Sequence, residues 1–159
     1  RAIAAGKDVH LRSPSATRPW QHVLEAVSGY FWLGVKMVSD GVRYQSAYNF
    51  GPALSARGVP VGEIAQSMLA AWGTTGSKLV VGVDQSGAES ALLRLDVSRA
   101  EAELGWRTTW SVEETIDKTA AWYRTYYSNP RPDMYDFSVR QIREYVADAM
   151  ERHLAWSAS

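Results

Sequence analysis

The chain has 159 residues, enough for one domain, and 46% of them are hydrophobic, enough to build a core. Lys plus Arg equals Asp plus Glu at 17 each, so there is no overall positive field to hold a nucleic-acid backbone or an anionic membrane surface. The absence of cysteine excludes a disulfide scaffold, a thiolate zinc site and a cysteine nucleophile, and fits a reducing, cytoplasmic setting.

The chain opens at Arg1 on RAIAAGKDV, which reads as the end of a helix running into a glycine stop and a strand, and so as a piece of something longer. Val9 to Arg12 alternates and is bounded by turn residues on both sides, which predicts a short strand leading into the turn Ser13-Pro14-Ser15. From His22 to Ser39 the apolar residues Val23, Val27, Tyr30, Phe31, Leu33, Val35 and Val38 cover more than one face, predicting a helix buried on two sides. This apolar run is broken by Ser28, Gly29 and Lys36 and falls short of the ~20 residues that cross a bilayer. Asp40-Gly41 ends it. Ser46 to Phe50 is a strand candidate closed by Gly51-Pro52, with Asn49 at its polar tip.

Gly62 to Trp72 carries Ile64, Ala65, Met68, Leu69 and Trp72 at helical spacing. Lys78 to Val81 then reads as a strand, and Leu92, Leu93 and Leu95 as another after the loop from Asp84 to Ser90. Ser98 to Glu101, Ser111 to Glu114 and Ser138 to Gln141 all fit a capping box and mark three helix starts. The middle helix presents Ile116, Ala120, Tyr123 and Tyr127 on one face, and the last presents Val139, Ile142, Val146 and Ala149. Asn129-Pro130-Arg131-Pro132 is the linker between them, dividing residues 1–128 from a C-terminal linker and helix at 129–159 that packs on the same domain. The fold class expected is a helix-rich mixture of α and β.

Catalytic signatures are largely missing. There is no glycine-rich phosphate loop, no HExxH and no GxSxG elbow. His10, His22 and His153 lack the paired spacing of a metal site, so each is read as structural or solvent-facing. Glu113-Glu114 sit in the first turn of a helix, where they favour its dipole. Arg18 follows a turn and precedes a helix. Its guanidinium can hold a bidentate anion beside the positive end of that helix, or it can bridge a local carboxylate such as Glu25. Trp20 can be core or a ligand platform. Asn49 can offer its amide to a ligand oxygen or close a local turn. Arg94, flanked by leucines on a predicted strand, points away from their face towards either solvent or an anion.

The stretches ATRPWQHVLEAVSGYFWLG, AYNFGP, LRLDVSRAEAELGWRTTWSVEETIDKTAAWYRTYY and FSVRQIREYV, in this order and at these spacings, resemble the C-terminal half of the CDP-glucose 4,6-dehydratases, a branch of the extended short-chain dehydrogenase/reductase family. The resemblance implies the substrate domain of that family without its Rossmann domain, and a nucleotide-diphosphate sugar, CDP-glucose first, as partner of residues 1–128. Another nucleotide-sugar dehydratase or epimerase is the alternative within the superfamily, and a non-catalytic interaction or oligomerisation module the alternative outside it. In the family, bound NAD oxidises the sugar at C4, water leaves across C5 and C6, and the hydride returns to C6. The glycine fingerprint for NAD is missing here, and none of the eight tyrosines has a lysine four positions later, so this chain holds no cofactor and should not catalyse alone.

What the resemblance carries over is a substrate grip. Arg18 matches the arginine facing the nucleotide diphosphate, Asn49 matches the asparagine of the YNxG element, and Glu89 and Arg94 fit the pattern around the leucine-rich strand. Ala88-Glu89-Ser90 stands where the family shows His-Glu-Ala, so one polar contact is lost. The helix at 22–39 packs on the Rossmann domain in the family. Without that cover, its bare side is expected to drive self-association.

Overall fold

The computed structural model describes residues 1–73, 76–82 and 91–157. Its architecture is the mixed α and β expected, rich in helix, with four short strands among the described residues: β1 (Val9–Leu11), β2 (Thr17–Arg18), β3 (Val59–Pro60) and β4 (Leu79–Val81). Four long helices accompany them: α1 (Val23–Tyr44), α2 (Val61–Trp72), α3 (Val112–Tyr126) and α4 (Met134–Glu151). β1 runs parallel to β4 with Val9 opposite Leu79, and β2 runs antiparallel to β3 with Arg18 opposite Val59.

α1 breaks where Asp40-Gly41 predicted. Asp40 leaves helical geometry, and its carboxylate caps the next turn by accepting from the Arg43 amide at 3.3 Å. The helix covers one side only. Glu25 and Gly29 are buried, while Phe31, Val38 and Val42 are 74%, 91% and 90% exposed, so the second apolar side lies open. On the buried side Phe50 lies so close to α1 that a Cβ at Gly29 would meet its ring at 2.3 Å, which only glycine permits. Phe50 and the fully buried Trp106 meet edge to face, with ring centroids 5.0 Å apart, and pack with Tyr44, Ala100 and Leu104 into the core.

Ser46 to Phe50 forms no strand. Among the described residues no strand pairs with it, and side chains bond its polar groups instead: Gln21 donates to the Phe50 carbonyl at 3.0 Å, and Arg99 to Ser46 Oγ at 2.5 Å. Among the described residues, the leucine-rich segment pairs through a single parallel bridge of Leu92 with Thr17. Of the three predicted capping boxes, the one at Ser111 forms in full, with Ser111 Oγ accepting from the Glu114 amide and Glu114 accepting from the Ser111 amide.

The other two boxes do not form. Asp96 accepts from both the amide and the hydroxyl of Ser98, ahead of a short π-helical turn at Ala100–Leu104. α4 begins four residues before Ser138, capped by Asp133, and leaves the Ser138 hydroxyl to accept from the Trp122 indole at 3.0 Å. The buried side of α4 is consequently Gln141, Tyr145 and Ala149. Ile142 and Val146, expected inside, are 47% and 39% exposed.

Candidate functional site

β2 and β3, the turn before β3 and the leucine-rich segment enclose a narrow cleft of about 40 Å³. Its walls include Trp20, Pro52, Leu54, Val59, Leu93 and Val112, and it is lined by three arginines: Arg18 from β2, Arg57 from the turn and Arg94 from the leucine-rich segment. No carboxylate is among the described lining residues. In a chain without net charge, three arginines thus meet at one small cleft, a grouping that the composition does not reveal. At ~10–15 Å³ per water-sized site, the cleft holds a few waters.

Two of the arginines are oriented by main-chain carbonyls. Arg18 Nη1 donates to the Thr17 carbonyl at 2.7 Å, and Arg94 Nη1 to the Leu54 carbonyl at 3.0 Å. The guanidinium of Arg57 instead pairs with Glu63 in the first turn of α2. Trp20 is half-buried, and its indole N–H donates to the Val59 carbonyl at 2.8 Å, pinning β2 to β3.

Of the residues expected in a substrate grip, Arg18 and Arg94 come together in this cleft. Asn49 lies outside its lining, with its amide donating to the Asp96 carbonyl at 3.0 Å, one segment further along. Glu89 lies outside the described residues. Arg57 was not anticipated. It carries no periodic signal, and its one clue is a cation set between the turn residues that precede β3.

Arg18 and the helix N-terminus behind it do not converge. The start of α1 opens on a different hollow, where His22 caps the Leu24 amide through Nδ1 at 3.3 Å. His22 is 6% exposed and stands edge-on to Trp110. Burial, with Lys118 adding positive charge nearby, lowers its pKa to about 4. His22 is thus a buried capping residue of α1. His10 and His153 are exposed, and no group of three metal-binding side chains occurs among the described residues.

Glu25, the alternative partner offered for Arg18, turns inward. Fully buried, it accepts from the Thr109 and Trp110 amides, both at 2.9 Å, and from the Tyr145 hydroxyl at 2.7 Å. Burial pushes the Glu25 carboxyl up, opposed by those donors, and burial also drives the Tyr145 phenol up. The hub joins α1 to the approach of α3 and to α4. Beside it, Arg152 donates to the Thr109 carbonyl and makes a two-nitrogen bond to Glu114, at 2.6 and 3.1 Å.

The open side of α1 meets α3 and α4 across two broad hollows of about 500 and 280 Å³, bordered by Val23, Val27, Phe31, Tyr123, Ile142 and Val146. Among the described residues, no helix is long and apolar enough to cross a membrane.

No family model matches the chain. In sequence it is 32% identical over 147 residues, 92% of its own length, to the CDP-glucose 4,6-dehydratase of Salmonella typhimurium. The chain spans about two fifths of that relative, 40% of its length. As RPWQHVLE, AYNFGP and LRLDVSRA led one to expect, the chain is a relative of the CDP-glucose 4,6-dehydratases, matched along nearly all of itself to a part of one of them.

Proposed function

We propose that this chain is a C-terminal portion of a CDP-glucose 4,6-dehydratase-like enzyme, contributes the grip on the diphosphate of a nucleotide sugar, and is inactive alone. The observation that carries this reading is the cleft itself, with three arginines from three separate segments and no carboxylate in its described lining. Guanidinium groups bind phosphate oxygens in pairs and keep their charge at any physiological pH, which suits them to an anion that must be held while chemistry proceeds elsewhere on the sugar. The printed name of the relative supplies CDP-glucose as the first ligand to try.

The residues that would hold NAD do not fit that cofactor. The two strand-to-helix junctions in the described residues are β2 into α1, which contains no glycine, and β3 into α2, whose single Gly62 packs against Pro14. Neither makes a glycine-lined cradle for a pyrophosphate. In this reading, dinucleotide binding and the Tyr-x-x-x-Lys base belong to another portion of the enzyme, which covers the open side of α1. A cytoplasmic setting belongs to the same reading.

Calorimetric titration with CDP-glucose tests it. Binding that Arg18→Ala weakens about tenfold, or ~1.4 kcal/mol, is expected. No heat from a folded chain with CDP-, UDP-, GDP- or dTDP-sugars would sink it. A second reading, a non-catalytic association module, is favoured by the exposed apolar side of α1. It expects concentration-dependent sedimentation and no nucleotide-sugar binding.

A further inference from the structure

We infer that Gly58 is a further residue of the diphosphate grip, one whose missing side chain lets a phosphate reach Nη2 of Arg94; this rests on the reading above. Neither the backbone nor the packing asks for glycine at this position. Gly58 is not among the described glycines with positive φ, which are Gly6, Gly73, Gly76 and Gly105. A Cβ built on it would lie 3.5 Å from Thr17 Cγ2 and 3.7 Å from Arg94 Nη2, which is ordinary van der Waals contact. At Gly29, by contrast, a Cβ would meet the Phe50 ring at 2.3 Å. Alanine would fit at position 58, and would stabilise the fold by restricting the unfolded chain. What glycine leaves there is open space. Gly58, Thr17 and Arg94 all line the cleft, so a side chain at 58 would grow beside the guanidinium.

The atom next to that space is the one an anion needs. Arg94 Nη1 donates to the Leu54 carbonyl at 3.0 Å, which holds the guanidinium against the segment that carries both Leu54 and Gly58 into β3. Among the described residues no carboxylate pairs with Arg94. Nη2 belongs to both two-nitrogen edges of the group, with Nη1 on one side and Nε on the other, so a bidentate phosphate uses it in either approach. Covering Nη2 blocks both.

The experiment titrates CDP-glucose and inorganic pyrophosphate into the unaltered chain and into Gly58→Ala, Gly58→Val, Arg94→Ala, Arg18→Ala and the Gly58→Val/Arg94→Ala double variant, with urea denaturation of each. Gly58→Ala is expected to weaken both ligands about threefold and Gly58→Val about tenfold, because each added methyl crowds Nη2. The urea midpoint of Gly58→Ala is expected to stay level or rise. The double variant is expected to bind no more weakly than Arg94→Ala alone, since both changes remove the same contact. A Gly58→Ala chain that binds as tightly as the unaltered one, with Arg18→Ala impaired, would overturn the role of Gly58 and leave the diphosphate grip standing. A midpoint that falls in step with binding, or a further loss in the double variant, would overturn it too. If the unaltered chain binds neither ligand, the grip and the role of Gly58 fall together.

Discussion

The two sides of α1 follow opposite physical rules. The inner side is bonded in detail: Glu25 fills both carboxylate oxygens with donors from other segments, Ser28 joins Tyr145 and the Trp106 indole, and Gly29 gives way to the Phe50 ring. The outer side is apolar and largely bare, with Val23, Tyr30, Phe31, Val35 and Val38 all more than half exposed. A helix can thus be closely specified on one side and left open on the other. In the reading proposed above, that open side is an interface.

The contrast is broken most severely at Glu25. Glu25→Ala leaves two buried amides without an acceptor, at ~1–3 kcal/mol for each group, and takes one of two partners from the Tyr145 hydroxyl, so a loss of about 4 kcal/mol is expected in urea denaturation. Next comes pH. His22 is held neutral in the fold, with its pKa lowered from 6.5 to about 4, so the unfolded chain binds the extra proton between those values. Stability from this residue is intact above pH 6.5 and is lost as the pH falls towards 4, by up to about 3 kcal/mol, and His22→Asn should flatten that slope in denaturation curves. Gly29→Ala forces a methyl onto the Phe50 ring and should cost about 1–3 kcal/mol, more than the gain in helix propensity of roughly 1 kcal/mol. On the outer side, Val38→Asp should change stability by less than about 0.5 kcal/mol yet reduce any self-association seen in sedimentation. A large loss of stability there would abolish the distinction between the two sides.

Much of this contrast was legible in the sequence, and its limits are physical. The helical period from Val23 to Val38 and the Asp40-Gly41 break are local signals, and both appear where expected. The capping box at Ser111 formed, with its Glu114 carboxylate large enough to serve Arg152 as well, whereas Asp133 and Asp96 cap in place of the other two. Ser46 to Phe50 had the composition of a strand but no neighbour to pair with, and pairing is a property of the fold rather than of the segment. Glu25 was read only as a local carboxylate that Arg18 could bridge, since its actual donors lie far along the chain. Arg18 and Arg94 were brought together by family resemblance. Arg57 sits in a turn, where neither period nor propensity records what a side chain faces.

The distances along the chain have a consequence for the order in which the molecule assembles. The three hydrogen bonds of Glu25 span 84, 85 and 120 residues. Contacts this distant in sequence are expected to close late, after α1 and α3 have formed from local contacts, because the long loops between them are costly to close. Substitution at Glu25 should then speed unfolding and leave the refolding rate nearly unchanged in a stopped-flow chevron, making this buried acid the bolt that keeps the assembled molecule shut.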